Sequence, residues 1–161
     1  IHITGRKKEI YVLSGGKNVA PLVIEETMKS IPVISQVFLV GDGRKFCSAL
    51  VTLDVGVILR DNLGMNPDKV PRDPMEQIEE LERREHKLSD FVGSEEVRSD
   101  IESQIQVLNK RFMNPEQIKK FTILPRDLNI DSGELTPTLK IRRKQIRENW
   151  ADEIEAMYSE A

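Results

Sequence analysis

The sequence predicts an α+β domain in which helices flank a small mixed or antiparallel sheet. Three apolar runs rich in β-branched residues, at positions 33–40, 48–53 and 118–124, have the length and composition of strands. Between the second and third runs, apolar residues recur at helical spacing. With 161 residues and one cysteine, the chain is predicted to form one compact domain without an internal disulfide.

The first sixty residues are predicted to alternate short strands with two short helices. Residues 10–13 are β-branched and aromatic, as in a strand, and residues 14–18 have the glycine-rich composition of a turn. A helix is predicted over 22–30, and residues 41–45 contain the Asp-Gly pair of a strand-connecting hairpin. Asp54 is predicted to cap a further short helix.

The middle of the chain, residues 62–115, is predicted to form an inserted helical hairpin. Pro74 follows an aspartate and suits the first turn of a helix, and Gly93 suits its end. A second helix follows with an amphipathic face. Its apolar positions are Val97, Ile101, Ile105, Leu108 and Phe112.

The end of the chain is predicted to be a strand, an exposed loop and a last helix. Pro125 ends the strand, and residues 133–138 have the composition of a loop. A helix is predicted from Lys140 to about Ser159. Its candidate packing positions are Ile141, Ile146, Trp150, Ile154 and Met157.

Composition narrows the classes of function. A net charge of −3 provides no overall basic field for nucleic acid. Cys47 lies in an apolar run and is interpreted as a buried structural thiol, while His2 and His86 are isolated and give no metal-ligand spacing. No apolar run approaches the ~20 residues that span a bilayer, and no signal peptide is visible. These features predict a cytoplasmic protein without a metal site in this chain.

Two segments near opposite ends of the chain stand out. The first reads Gly-Arg-Lys-Lys-Glu from Gly5, then Ser-Gly-Gly-Lys-Asn from Ser14, Pro21 and Ile-Glu-Glu from Ile24. By spacing alone it is equally an ordinary hairpin entering a helix. The second reads Gly-Glu-Leu-Thr-Pro-Thr-Leu-Lys-Ile-Arg-Arg from Gly133. Together, in this order, they resemble the motifs of the C-terminal domain of AMP-forming acyl-CoA synthetases, the second in the form used by long-chain fatty acyl-CoA synthetases.

The resemblance implies the lid domain of an adenylate-forming enzyme, covering residues 1–161. In such an enzyme a fatty acid and ATP form acyl-AMP, and the acyl group then passes to CoA as a thioester. ATP and CoA are the implied substrates, and Mg²⁺ is implied for the parent enzyme outside this chain. Because the chain starts at Ile1 without a methionine, we expect a large N-terminal domain to be missing and the fragment alone to be inactive.

The resemblance places the adenylation lysine of the family at Lys140. Negative charge grows on phosphate and carboxylate oxygens during carboxylate activation, so a positioned cation is an effective catalyst. Lysine supplies a compact charge on a long, flexible stem. Without the motif, Lys140 would be interpreted as a solvated lysine at the start of a helix.

Other functional positions follow from the resemblance in the first segment. Arg6 is implied to contact the nucleotide, and Lys8 is implied to be the hinge about which the domain rotates. Gly15 and Gly16 match the glycines that line the pantetheine tunnel during thioester formation. Lys17 is a weaker match, with an implied contact to phosphates.

The start of the last predicted helix is basic and has three interpretations. It is a solvated helix face, a patch that contacts phosphate or CoA, or a patch for nucleic acid or anionic lipid. Few basic residues are present and acidic residues follow them, which argues against a polyanion stripe. The residues concerned are Arg142, Arg143, Lys144 and Arg147.

Two alternatives to a long-chain fatty-acid–CoA ligase stay open from the sequence. One is another acyl- or aryl-activating ligase, including one that delivers to a carrier protein. The other is a freestanding module that binds a partner or a membrane surface. For the ligase, the expected partners are its own N-terminal domain, a fatty acid, ATP and CoA, with no nucleic acid and with peripheral membrane contact by the parent.

Overall fold

The structure is a computed structural model that describes residues 10–138 and 140–159. The first and last parts of this stretch contain strands and α-helices, and the part between the fourth and fifth strands contains helices alone. In chain order the strands and α-helices are β1 (Tyr11–Val12), β2 (Asn18–Val19), α1 (Pro21–Met28), β3 (Ile34–Val40), β4 (Cys47–Leu53), α2 (Val55–Val57), α3 (Pro74–Arg83), α4 (Leu88–Val92), α5 (Glu95–Asn109), β5 (Ile118–Ile123), α6 (Arg143–Asn149) and α7 (Ala151–Ser159).

A three-stranded mixed sheet lies at the centre, which confirms the predicted fold class. Its strand order is β3-β4-β5, with β3 and β4 antiparallel and β4 and β5 parallel. The parallel pair follows from the long helical connection between these two strands, because parallel neighbours need a crossover. All seven residues of β4 are buried, since this strand has a neighbour on each side and helices on both faces.

Two apolar clusters cover the two faces of the sheet. On one face, Ala49 and Val51 of β4 pack in the cluster that includes apolar residues of α1 and α5. On the other face, Leu50 packs with residues of α6 and α7. The sheet is therefore the middle layer of three. The predicted packing positions Ile146, Trp150, Ile154 and Met157 are buried there, and Ile141 packs against the cluster while partly buried.

Residues 62–115 are largely helical, and they contain three α-helices and a short 3₁₀ helix at Pro67–Lys69, where the sequence predicted a hairpin of two helices. The helix α3 ends at Arg83, ten residues before the predicted break at Gly93. Soon afterwards Glu85 adopts a left-handed conformation with φ +64°. The helix α5 carries Ile101 and Ile105 into the same cluster as the sheet, so it belongs to the main core.

The last helix starts later than predicted and is divided in two. Lys140 was predicted at its start, yet α6 begins at Arg143. The reason is that Lys140 belongs to a hairpin: its backbone N–H donates to Thr136 Oγ1 at 3.0 Å and its carbonyl accepts from Thr136 N at 2.9 Å. A non-helical backbone at Trp150 separates α6 from α7.

Within residues 10–138 and 140–159, no helix has both the length and the apolar character needed to cross a bilayer.

Candidate functional site

Lys140 lies on a short β-hairpin formed by residues 134–142. Leu135 and Ile141 pair as an antiparallel bridge, and Arg142 N donates to Glu134 O at 2.8 Å. The two bonds between Lys140 and Thr136 complete the pairing next to this bridge. The residue itself is exposed. The hairpin therefore fixes the backbone of Lys140 while the side chain remains accessible to another molecule.

The base of this hairpin is held by the fully buried carboxylate of Glu134. Arg126 donates to both oxygens, at 2.8 and 2.9 Å, in a bidentate pair. Three further donors reach the same carboxylate: Trp150 Nε1 at 2.8 Å, Asn149 Nδ2 at 3.0 Å and Asn129 N at 3.2 Å. The hairpin is thereby joined to the loop after β5 and to the junction of α6 with α7.

The environment of Glu134 favours its ionised form. Burial acts to raise the pKa of this carboxyl, because the charged form loses hydration. Hydrogen bonds from Arg126, Asn149 and the backbone of Asn129, with the charge of Arg126, outweigh burial and lower the pKa below its ordinary value. Glu134 is therefore a carboxylate at neutral pH, and its negative charge is part of the folded structure.

Gly15 and Gly16 form an exposed turn between β1 and β2. Leu13 N donates to Lys17 O at 2.9 Å, and Gly16 N donates to Leu13 O at 2.8 Å. Gly16 has φ +90°, a backbone conformation that residues with a side chain rarely adopt, so the turn itself requires glycine there. Gly15 has no positive φ, and a Cβ atom added to it would meet no described heavy atom within 4 Å. Nothing in the described domain requires glycine at position 15.

The glycine turn is anchored to the loop between β3 and β4. Ser14 N donates to Arg44 O at 2.8 Å, and Gly43 N donates to Val12 O at 2.8 Å. Asp42 Oδ1 accepts from Val12 N at 3.0 Å. These bonds hold the turn against the sheet, and Lys17 is exposed beside it.

A buried ion pair between Glu25 and Arg143 connects the glycine turn to the Lys140 hairpin. Arg143 donates to the two oxygens of Glu25 at 2.6 and 2.8 Å. It also donates to Tyr11 Oη at 3.2 Å, and Tyr11 in turn donates to Leu39 O at 2.8 Å. Leu39 N completes the network with a 2.7 Å bond to Glu25. The network joins β1, α1, β3 and α6.

This ion pair separates Arg143 from the other basic residues at the start of the last predicted helix. The side chain of Arg143 is only 10% exposed and points to Glu25, so it belongs neither to a solvated face nor to a surface patch. Arg142, Lys144 and Arg147 are exposed. The roles of Glu25 and Glu134 were not predicted: both lie in the quoted motifs, but their partners are distant in sequence and the motifs do not indicate them.

Two predicted site residues, Arg6 and Lys8, lie outside the described residues. Cys47 is buried, and its Sγ lies 3.6 Å from Pro115 O, which confirms a structural thiol. Burial raises the pKa of this thiol to about 11. The part of the chain that the structure describes holds no group of three or more His, Cys, Asp or Glu residues that could bind a metal ion.

Comparison with known proteins decides the family. The family model described as the AMP-binding enzyme C-terminal domain matches residues 8–90 and 77–161. The chain belongs to this family. The chain is 38% identical to the long-chain-fatty-acid–CoA ligase FadD15 of Mycobacterium tuberculosis, over 98% of this chain and 24% of that protein. It is 34% identical to the ligase ACSBG2 of Gallus gallus over 100% of this chain and 21% of that protein.

Solved structures support the fold of the AMP-binding C-terminal domain. The A domain of carboxylic acid reductase from Segniliparus rugosus, in complex with AMP and a co-purified carboxylic acid, superposes with a TM-score of 0.66 at 20% identity. That match covers 99% of this chain and 21% of the reductase chain. At this identity the likeness concerns the fold alone. The chain spans about a quarter of the length of the curated relatives it matches.

The buried ion pair between Glu25 and Arg143 should contribute to the stability of the AMP-binding C-terminal domain. Arg143→Met should lower the free energy of unfolding by about 3–5 kcal/mol, because it leaves the charge of Glu25 buried without its cationic partner. Adding Glu25→Gln should recover part of this loss. Urea unfolding measures both. Arg44→Met is the matched control: its exposed pair with Glu155 should contribute at most about 1 kcal/mol. Equal losses in Arg143→Met and Arg44→Met would contradict the buried pair.

The lowered pKa of Glu134 predicts a pH dependence. A carboxyl whose folded pKa lies below its unfolded pKa stabilises the fold above the unfolded value, and this stability is lost as pH falls. The contribution should thus be complete above the ordinary value of 4.5 and decline below it, towards the lower folded pKa. In urea unfolding between pH 3 and 6, Glu134→Gln should remove this part of the acid-induced loss. An unchanged pH slope in that variant would contradict the assignment.

Proposed function

We propose that this chain is the C-terminal domain of a long-chain fatty-acid–CoA ligase. The observation that carries the proposal is the whole-chain similarity, at 38 and 34% identity, to two proteins named as such ligases. An exposed lysine on an anchored hairpin and an open glycine turn support it, because they suit the two half-reactions. The activity belongs to the longer parent protein, with its own N-terminal domain as the first partner of this one.

In the first half-reaction, a carboxylate oxygen of the fatty acid attacks the α-phosphorus of ATP, and the bond to pyrophosphate breaks. Negative charge grows on the phosphate oxygens as this happens, and the ammonium group of Lys140 stabilises it. The hairpin holds the backbone of Lys140 in place, which reduces the reorganisation needed when the domain closes over the substrates. Arg6 is proposed to contact the nucleotide in this closed state.

In the second half-reaction, the sulfur of CoA attacks the acyl carbon, and AMP leaves. We propose that Gly15 and Gly16 line the passage for the pantetheine chain. Gly15 supports this role because a Cβ atom there would meet no described heavy atom of the domain within 4 Å, which leaves space for another molecule beside the turn. The domain alternates between the two states by rotation about Lys8. Lys17, exposed beside the turn, is a secondary candidate for a phosphate contact.

Among the residues that the structure describes, no group of three or more His, Cys, Asp or Glu residues could hold the Mg²⁺ that accompanies ATP. We propose that the ion binds with ATP outside this chain, and no step here depends on it. The proposed setting is the cytoplasm, with peripheral contact to a membrane surface as a source of long-chain acids. A panel of acids in ATP–pyrophosphate exchange by the parent protein tests the substrate class: exchange with aryl or short acids only would contradict it.

The role of Lys140 predicts a split between the half-reactions. In the parent protein, Lys140→Ala should slow ATP–pyrophosphate exchange by about 100- to 1,000-fold, because a positioned cation is lost from the transition state. Transfer from preformed acyl-AMP to CoA should change little. Lys69→Ala, at an exposed lysine in the helical segment, is the control and should leave both rates unchanged. Equal losses in both half-reactions would exclude the assigned role.

The role of Gly15 predicts the opposite split. Gly15→Leu should slow thioester formation from acyl-AMP by about 100-fold, because the side chain displaces the CoA thiol from its reacting position. Adenylation should remain near the wild-type rate. Gly93→Leu is the matched control, since Gly93 is also exposed and without positive φ. Thioester formation at the wild-type rate in Gly15→Leu would rule out the tunnel.

A further inference from the structure

We propose that Glu134 is a positioning residue for Lys140: its buried carboxylate sets the orientation of the hairpin that presents this lysine. The inference rests on the proposed function, because it concerns the same reaction. Glu134 lies six residues before Lys140 in the chain and at the opposite end of the hairpin from the turn. Its side chain is fully buried, so Glu134 acts through Lys140 and not on the reacting atoms.

Glu134 joins the two strands of the hairpin to each other and attaches them to the body of the domain. Its carbonyl accepts from Arg142 N at 2.8 Å, two residues after Lys140, and its own N–H donates to Asn129 O at 3.1 Å. Its carboxylate accepts from Arg126, Asn129, Asn149 and Trp150. One residue therefore ties the hairpin to the loop after β5 and to the final helices.

The hairpin needs attachment to the rest of the domain, because two short strands joined by one bridge are marginally stable in water by themselves. Leu135 and Ile141 pack in the apolar cluster of α6 and α7, and Glu134 adds the directional polar attachment. If the hairpin tilted about its base, Lys140 would move with it, and a displacement of about 1 Å at a catalytic group can cost about 100-fold in rate. A fixed base is thus a requirement for placing the ammonium group.

The hydrogen bonds to the Glu134 carboxylate also favour a role in orienting the hairpin. Burying the Glu134 carboxylate against the half-exposed Arg126 costs hydration, and apolar groups of the same volume are often as stabilising. What five converging hydrogen bonds add is direction: they define a single orientation of the side chain and of the backbone attached to it. This favours a role in positioning over a role in stability alone.

The test uses the parent protein with Glu134→Gln, which keeps the volume and removes the charge. ATP–pyrophosphate exchange should fall by about 10- to 100-fold in kcat, with KM for ATP and fatty acid within about threefold of wild type. Transfer from preformed acyl-AMP to CoA should be unchanged. A parallel loss in both half-reactions would show a purely structural role and overturn the proposal.

A double variant isolates the action through Lys140. In Lys140→Ala, adding Glu134→Gln should cause no further loss of exchange beyond about twofold, because the lysine to be positioned is already absent. Losses that multiply would overturn the proposal. If wild-type exchange depends on Lys140 but not on Glu134, this inference alone fails. If the wild type shows no exchange with any acid in the panel, the proposed function fails, and this inference with it.

Two further variants separate misplacement from unfolding. Asn149→Ala removes one hydrogen-bond donor to Glu134. Because Asn149 is exposed, this variant should fold even if Glu134→Gln does not. It should slow exchange by about fivefold without affecting transfer. Ile101→Val removes a buried methyl group on the opposite face of the sheet, and should leave the ratio of the two rates unchanged. A changed ratio in Ile101→Val, or an unchanged one in Asn149→Ala, would overturn the proposal.

Discussion

The buried ion pair between Glu25 and Arg143 is the interaction on which the arrangement of the domain depends. Its two residues are 118 positions apart, on the first helix and on the helix that follows the Lys140 hairpin. Tyr11 and the backbone of Leu39 complete the network, so β1 and the sheet edge are included. Without Arg143, the carboxylate of Glu25 would keep its buried charge and lose the two hydrogen bonds of its cationic partner. The fold thereby brings its two quoted motifs into one structural unit.

This unit has consequences for a domain that we propose serves two half-reactions. The glycine turn and the lysine hairpin are each bonded to the sheet layer, the first through the β3–β4 loop and the second through Glu134. Their connection through Arg143 means that rotation of the domain would move both together, as a rigid body. Exchange between the two proposed states then needs a change only at the hinge, and neither loop has to refold.

The sequence predicted those parts of the fold that depend on local pattern. Strands rich in β-branched residues, the amphipathic face of α5 and the buried positions of the last helices were found because their spacing reports burial directly. The left-handed Glu85 was not found, because it depends on hydrogen bonds at the end of α3, such as His86 N to Leu81 O at 3.0 Å, that no residue type there indicates. The hairpin around Lys140 was not found because its base is held by Arg126 and Trp150, which lie outside its own segment. For the same reason the candidate positions Lys140 and Gly15 came from motifs, while the partners of Glu25 and Glu134 required the structure.

The burial of Cys47 makes its thiol unreactive towards thiol-labelling reagents in the folded domain. A thiol must ionise to react with electrophilic reagents, and at neutral pH a group with a pKa of about 11 is almost entirely protonated as well as shielded from solvent. A cysteine introduced on the exposed surface would therefore be labelled selectively, with no need to replace the native residue in this domain. A fluorophore placed in this way would report the angle of the domain during turnover without disturbing its core.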